Sequence, residues 1–174
     1  MRQLADAGRI GRFMRELGRA ADVDGACYFT GGATAVLVGW RDSTVDVDIR
    51  LAPESDSLLR AIPSIKERLE INVELAAADD FIPVPEGWEG RSLFVATESR
   101  LSFYHFDPYS QALAKLERAH EQDLRDVRTM VERRLVDPAR GLDYFDEIEP
   151  ELYRFSSVDP RAFRRRVEEA FGTT

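Results

Sequence analysis

Two aspartates, Asp46 and Asp48, lie two residues apart in the segment DVDIRL and could act together on one ligand. The segment alternates like a β-strand, in which side chains two residues apart point to the same face. The two carboxylates are therefore expected side by side, with Val45, Val47 and Ile49 on the opposite face. Like charges at this spacing repel unless a cation lies between them. Because oxygen ligands suit Mg²⁺ or Mn²⁺, the pair predicts a metal site.

A third carboxylate is expected from a neighbouring strand, since two-metal phosphoryl-transfer sites use two or three acidic groups. Residues 70–75 alternate as a strand and place Glu70, Asn72 and Glu74 on a polar face. We favour Glu74, which lies near the end of this strand, over Glu70. The alternative is that this polar face is only solvated, as one face of an antiparallel sheet often is.

Gly31 and Gly32 lie between a short apolar strand and a helix of small residues. A glycine pair lets backbone N–H groups approach a phosphate, and a helix N-terminus favours negative charge. Thr34 could add a hydroxyl at the start of this helix, and Ser43 could hold a phosphate or cap the next strand. A Gly-Gly pair alone is more often a tight turn, but the aspartate pair that follows it favours a nucleotide site.

The elements that position these residues follow from hydrophobic periodicity. Strands are predicted at residues 26–30, 45–51, 70–75, 93–97 and 100–106, the last two forming a hairpin with its turn at Glu98 and Ser99. Helices are predicted at residues 3–20, 33–40 and 56–68, the third shortened or kinked by Pro63. A long loop is expected at residues 77–92.

From Asp107 onward the pattern is wholly helical, with helices predicted at residues 109–119, 121–135, 137–148 and 159–171. The predicted fold is therefore α/β (α+β): a mixed sheet with flanking helices over residues 1–106, and a helical part over residues 107–174 packed on it, or all of this in a single domain. His105 lies among aromatic residues, which favours a core histidine rather than a site residue.

Composition limits the class of protein. The chain has 174 residues, of which 44% are hydrophobic and 32% charged, as in globular proteins. Its one cysteine excludes a disulfide framework, and its net charge of −8 does not favour nucleic acid through the overall field. Because no apolar run approaches the roughly 20 residues of a membrane helix and no signal peptide is recognisable, we expect a cytoplasmic protein without a membrane partner.

The glycine turn and the acidic strand together resemble a known signature. TGG at residues 30–32 followed by DVDI at residues 46–49 is similar to the signature of the nucleotidyltransferase superfamily, a glycine turn and then D-h-[D/E]-h. The segments GGATAVLVGWRDSTVDVDI, VELAAADDFIP and DPYSQALAKLERAHEQDLRDVRTMV resemble small bacterial and archaeal nucleotidyltransferases of the DUF6036 type. These in turn are similar to the AbiEii-like toxins of type IV toxin–antitoxin systems.

The resemblance implies a minimal polymerase-β-like fold and transfer of a nucleotidyl group from an NTP to a hydroxyl, with Mg²⁺ or Mn²⁺. It implies RNA such as tRNA, or a protein, as acceptor, and an antitoxin protein as partner. Gly31 and Gly32 match the turn that holds the triphosphate, and Asp46 and Asp48 match the metal ligands.

The resemblance also implies a phosphate-binding lysine on a later helix and an aspartate on the next one. Lys115 and then Asp123 or Asp126 occupy these places, and we take Asp126. Lys115 is one of only two lysines in the chain, which favours a role that arginine does not replace; the alternative is an ordinary ion pair.

Two other functions of the protein stay open: a nucleotide- or partner-binding module without activity, and a metal-dependent phosphodiesterase.

Overall fold

The computed structural model describes residues 2–172, which fall into two compact units. The first runs from the start of the described chain to Ala77 and adds Ser92–Phe106. The second consists of Ala78–Arg91 and the described chain from Asp107 onward. Residues 78–91, which the sequence-based division places with the α/β part, thus group with the helices.

A five-stranded mixed sheet forms the centre of the first unit, with strand order β5-β4-β2-β7-β6. The elements of this unit, numbered in chain order, are β1 (Ala5–Asp6), α1 (Ala7–Ala20), β2 (Gly25–Thr30), α2 (Gly32–Val38), β3 (Ser43–Thr44), β4 (Asp46–Ala52), α3 (Asp56–Leu69), β5 (Asn72–Leu75), β6 (Leu93–Glu98) and β7 (Leu101–His105). β2 pairs with β7 and β4 with β5 in parallel, whereas β2–β4 and β6–β7 are antiparallel. The short strands β1 and β3 form a separate antiparallel pair.

One face of the five-stranded sheet carries the hydrophobic core. Phe29 on β2 and Ile49 on β4 are fully buried on this face, and Phe13 of α1 packs against Phe29 with ring centroids 6.3 Å apart. α3 contributes its apolar stripe, including Leu58 and Ile65, to the same cluster. Because side chains alternate along each strand, the residues between these positions, including the two aspartates of β4, lie on the other face.

The structure confirms the predicted α/β fold with a helical C-terminal half, but several predicted boundaries are wrong. α1 begins at Ala7 rather than residue 3, because Asp6 caps it by accepting a hydrogen bond from the backbone N–H of Arg9. The hairpin turn lies at Ser99, where φ is 58°, and Arg100, one residue later than predicted.

α3 is not shortened by Pro63. The helix continues to Leu69 because Ser55 caps its start and a buried stripe that includes Ile62 and Ile65 runs along its whole length. This longer helix ends at Glu70, which adopts the left-handed conformation with φ 54°. Glu70 therefore lies outside β5, and its prediction as a strand residue beside Glu74 is wrong.

The ends of the acidic strands are also more exposed than predicted. Val45 precedes β4 and is exposed, so it does not join Val47 and Ile49 in the core. Leu75, which the alternation of β5 places on the face opposite Glu74, is 48% exposed. Both residues lie at strand ends, where the core no longer covers the strand face.

The second unit is helical, and three of its helices begin with an Asp-Pro pair. Its elements are α4 (Trp88–Arg91), α5 (Pro108–Arg118), α6 (Glu121–Glu132), α7 (Pro138–Ile148), α8 (Pro160–Phe171) and the 3₁₀ segments Ala78–Asp80 and Glu149–Arg154. Asp107, Asp137 and Asp159 each cap a helix with proline at its first turn. Within residues 2–172, no helix has the length and apolar character needed to cross a bilayer.

Polar contacts explain why residues 78–91 belong to this unit. Arg91 donates to the buried carboxylate of Asp107 from both Nε and Nη2, at 3.1 and 2.9 Å. The backbone N–H of Glu86 donates to Oε1 of Glu147 at 2.8 Å. The predicted loop is therefore an ordered segment, with one helical turn at each end.

Candidate functional site

The acidic residues predicted on β4 and β5 lie together on one face of the sheet. Asp46 is opposite Asn72 and Asp48 is opposite Glu74 in the parallel register of the two strands. Residues paired across neighbouring strands share a face. We call these four residues the acidic patch. The structure thus brings together the two aspartates and Glu74, which were predicted from separate segments as parts of one site.

Asn72 connects the carboxylates of this patch. Its Nδ2 donates to Oδ1 of Asp46 at 2.6 Å and to Oε1 of Glu74 at 3.0 Å. An amide donor between two carboxylates offsets part of their mutual repulsion and fixes their rotamers. Alternation places Asn72 on the polar face but assigns it no role, because its hydrogen bonds depend on the register between β4 and β5.

The glycine turn passes directly beside the acidic patch. Gly31 has φ 63° and ψ −129°, a conformation that residues with a side chain rarely adopt. A methyl group added there would lie 3.4 Å from Oδ2 of Asp48. At Gly32 an added methyl would collide with Oγ1 of Thr44 and lie 2.7 Å from its Cβ. Gly31 is therefore required by its backbone conformation and Gly32 by the packing against Thr44, and the turn they form borders Asp48.

Thr34 and Ser43, the two predicted hydroxyl contacts, are placed differently. Thr34 is buried, and its Oγ1 is 3.4 Å from the carbonyl oxygen of Phe29, to which it donates, and 3.0 Å from Nδ1 of His105. Burial lowers the pKa of His105 to about 4, so the imidazole is neutral at pH 7. Ser43 is half-buried in β3, opposite Asp6. The predicted nucleotide contacts of both hydroxyls stay predictions.

Lys115 and Asp126 belong to the second unit, where they form a buried ion pair. Lys115 is 6% exposed, and its Nζ donates to Oδ2 of Asp126 at 2.8 Å. The same Nζ lies 3.8 Å from Oδ1 of Asp123, so both of the candidate aspartates, Asp123 and Asp126, contact Lys115. Gln122 donates to the second oxygen of Asp126 at 2.9 Å.

Asp123 is itself held by a second cation. Arg118 donates to its two carboxylate oxygens at 2.8 and 2.6 Å. Desolvation raises the pKa of Asp123, but the hydrogen bonds and charges of Arg118 and Lys115 outweigh it and hold the pKa below its ordinary value. This network keeps Asp123 charged and holds Lys115 in a fixed position. The predicted contact of Lys115 and Asp126 with a nucleotide stays a prediction.

The acidic patch fits a divalent cation by the chemistry of its donors. Asp46 and Asp48 offer carboxylate oxygens from adjacent positions on one face, and such oxygens are the usual ligands of Mg²⁺ and Mn²⁺. Across the described part of the chain, however, no three His, Cys, Asp or Glu side chains converge as a metal site. The two aspartates are therefore the candidate ligands, with Glu74 beside them.

Comparison with known proteins gives one match. The family described as a nucleotidyltransferase of unknown function (DUF6036) matches residues 9–139. No curated protein and no solved structure matches the chain. The matched range covers most of the chain and includes the glycine turn, the acidic patch and the ion pair of Lys115 with Asp126. The chain therefore belongs to the DUF6036 family of nucleotidyltransferases of unknown function.

Proposed function

We propose that the protein transfers an NMP from an NTP to a hydroxyl group of RNA, such as tRNA, or of a protein. The observation that carries this proposal is the position of the paired Asp46 and Asp48 beside the Gly31 turn. Family membership supports nucleotidyl transfer as the type of reaction. In that reaction the acceptor hydroxyl gives up its proton to water, and its oxygen forms a bond to the α-phosphorus. The bond between the α-phosphorus and the oxygen that bridges it to the β-phosphorus breaks, and pyrophosphate leaves.

Asp46 and Asp48 would hold Mg²⁺ or Mn²⁺, which supplies positive charge to a phosphate group whose negative charge opposes attack. Asn72 keeps the carboxylate of Asp46 in place through its hydrogen bond. Gly31 and Gly32 border Asp48 and Thr44 in a turn that carries no side chain of its own, and successive backbone N–H groups in such turns are a known means of binding phosphate. Glu74 adds negative charge to the same patch and is our candidate for the third catalytic carboxylate.

Lys115 and Asp126 are proposed as further nucleotide-binding residues on the basis of the resemblance. Their ion pair supports a role in which Lys115 is held in one rotamer by Asp126.

A role as the toxin of a toxin–antitoxin pair is proposed from the family resemblance alone. Growth arrest on expression of the wild-type chain, abolished by Asp46→Asn with Asp48→Asn, is the expected result; equal growth of both strains would contradict it.

The reaction is tested by incubating the protein with each labelled NTP, Mg²⁺ or Mn²⁺ and total RNA. Label transferred to RNA or to protein, and lost in the Asp46→Ala/Asp48→Ala variant, is the expected result. Release of mononucleotides from RNA without incorporation of label would instead indicate a phosphodiesterase. Absence of metal-dependent transfer with every NTP and acceptor would overturn the proposal.

One observation favours a second function, that of a nucleotide- or partner-binding module without activity. Although Asp46, Asp48 and Glu74 share a face, they do not converge as a three-carboxylate metal site in the described chain. Under this function, NTP raises the melting temperature of the protein but no label is transferred. The same incubations therefore separate the two functions.

A further inference from the structure

Arg41 lies beside the glycine turn, on the segment that connects α2 to the acidic strand β4. Its side chain is half-buried, and a methyl group added at Gly32 would lie 3.2 Å from its Nη1 atom. A methyl group added at Gly31 would lie 3.4 Å from Oδ2 of Asp48. The two consecutive glycines of the turn therefore border a guanidinium and a carboxylate.

The end of α2 explains how Arg41 returns to the start of the same helix. Gly39 adopts the left-handed conformation with φ 111°, and its backbone N–H donates to the carbonyl oxygen of Ala35. The backbone N–H of Trp40 donates to the same oxygen at 3.0 Å. A helix that ends in this way turns the chain sharply away from its axis, and the guanidinium of Arg41 lies back at Gly32.

Thr44 fixes the segment that carries Arg41. It is buried, and its Oγ1 donates to the carbonyl oxygen of Asp46 at 3.0 Å. Its side chain fills the space beside Gly32, and its backbone pairs with Ala5 in the short sheet of β1 and β3. Because these contacts hold the end of the segment against the turn, Arg41 belongs to an ordered part of the site.

Arg41 and Asp48 are close enough to contact the same phosphate chain. Since each lies against one of two adjacent glycines, Nη1 of Arg41 and Oδ2 of Asp48 are at most about 13 Å apart by backbone geometry. The turn between them carries no side chain. A triphosphate that begins beside Asp48 and follows the turn therefore meets the guanidinium of Arg41.

The chemistry of Arg41 suits this part of a nucleotide. A guanidinium presents five N–H donors in a planar fork that matches phosphate oxygens, so it can bind a ligand while it also contacts the protein. The chain has a net charge of −8, and the carboxylates of Asp46, Asp48 and Glu74 lie together on one face of the sheet. A triphosphate therefore needs local positive charge to bind at this turn.

We propose that Arg41 binds the β- and γ-phosphates of the NTP and so selects a nucleoside triphosphate over a monophosphate. The proposal rests on the proposed function, because it takes Asp46 and Asp48 as the place of the reacting α-phosphate. From there the two terminal phosphates extend along the glycine turn to Arg41. When the bond to the α-phosphorus breaks, the same guanidinium stabilises the negative charge of the departing pyrophosphate.

The test compares ligands that differ in their phosphates. Wild type and Arg41→Gln are titrated by calorimetry, in Mg²⁺, with an NTP analogue that cannot be cleaved between the α- and β-phosphates, with inorganic triphosphate and with the NMP. Arg41→Gln should weaken binding of the NTP analogue and of triphosphate by about 10–100-fold, as expected for loss of a charged hydrogen bond, and leave the affinity for NMP unchanged. Equal affinity of variant and wild type for the NTP analogue, or an equal loss for NMP, overturns the proposal.

Two further variants separate phosphate binding from a structural role. Arg60→Gln is the matched control, because Arg60 is exposed on α3, which packs on the opposite face of the sheet; it removes the same charge and should leave all three affinities unchanged. Arg41→Lys keeps the charge without the planar fork, so its affinity for triphosphate should lie between those of wild type and Arg41→Gln. A loss of affinity in Arg41→Lys that is equal for triphosphate and NMP indicates a structural role and refutes the proposal.

These titrations need no acceptor and no turnover, so the two proposals fail separately. Label transfer by Arg41→Gln with an unchanged KM for NTP would leave the proposed function intact and refute the role of Arg41. A selective loss of triphosphate affinity in Arg41→Gln, with no label transfer by the wild type, would do the reverse.

Discussion

Asn72 donates hydrogen bonds from a single nitrogen to Asp46 and to Glu74, so that one amide separates two carboxylates. Asn72→Asp replaces this donor with a third acceptor between two negative charges. We expect the variant to lose about 1 kcal/mol of stability at pH 7 without divalent ions, and to recover part of it with Mg²⁺. Urea unfolding with EDTA and with Mg²⁺ measures this, and Glu74→Gln, which removes a charge, should not destabilise. Equal stability of Asn72→Asp and wild type in EDTA would show that the hydrogen bonds of the Asn72 amide do not contribute to stability.

Replacement of the paired aspartates should separate activity from stability. Asp46→Asn or Asp48→Asn is expected to lower label transfer at least about 100-fold, because the metal that neutralises the reacting phosphate loses a charged ligand. The melting temperature should not fall, because either substitution relieves the repulsion between carboxylates in the acidic patch. Glu74→Ala should have a comparable effect on transfer if Glu74 is the third carboxylate. Unchanged turnover of Glu74→Ala would remove it from the site.

Gly32 should tolerate no side chain. Gly32→Ala places a methyl group against Oγ1 and Cβ of Thr44, and overpacking of this kind costs about 1–3 kcal/mol. Gly90→Ala is the matched control, since a methyl group at Gly90 meets nothing within 4 Å. Thermal unfolding of both variants measures the difference, and equal melting temperatures would contradict the packing described for the turn.

Replacing only one partner of the ion pair between Lys115 and Asp126 should lower the free energy of unfolding. Lys115→Met leaves the carboxylate of Asp126 buried without its cation, and such losses amount to about 3–5 kcal/mol. The double variant Lys115→Met/Asp126→Leu removes both charges and should recover much of this stability. Denaturant unfolding of the single and double variants tests the pair; additive losses would mean that the two charges act independently.

His105 should make the protein less stable in acid. The unfolded chain binds a proton near pH 6.5, whereas buried His105 stays neutral until about pH 4. Since the unfolded state then binds more protons, the free energy of unfolding falls as the pH falls from 6.5 to 4, by about 2–3 kcal/mol. His105→Gln lacks this proton uptake, so its stability should fall less over the same range. Parallel pH profiles of variant and wild type would contradict the assignment.

The part of the site that was predictable rests on local patterns. Alternation alone places Asp46 and Asp48 on one face, because the period of a strand is set by its own backbone. The register that puts Glu74 opposite Asp48 depends on how α3 connects β4 to β5, and this cannot be predicted from the local sequence pattern. The hydrogen bonds of Asn72 follow from that register, so they could not be predicted from the sequence either.

The errors in the fold have the same origin. Glu70 continues the alternation of β5, yet it caps α3 because the packing of that helix extends to Leu69. Residues 78–91 read as a loop, since the contacts of Arg91 with Asp107 and of Glu86 with Glu147 join segments distant in sequence. Family resemblance, by contrast, was recognisable from the sequence, and the family match to residues 9–139 confirms it.

The strand order has a consequence for synthesis of the chain. β7 pairs with β2 in the middle of the sheet, with Leu101 opposite Gly25, although β2 is made long before β7. Until the ribosome has released the chain to about residue 105, one edge of β2 has no strand to pair with. Unpaired strand edges are templates for aggregation. Nascent or truncated chains that end before β7 should therefore depend on chaperones, whereas the complete sheet hides this edge at its centre.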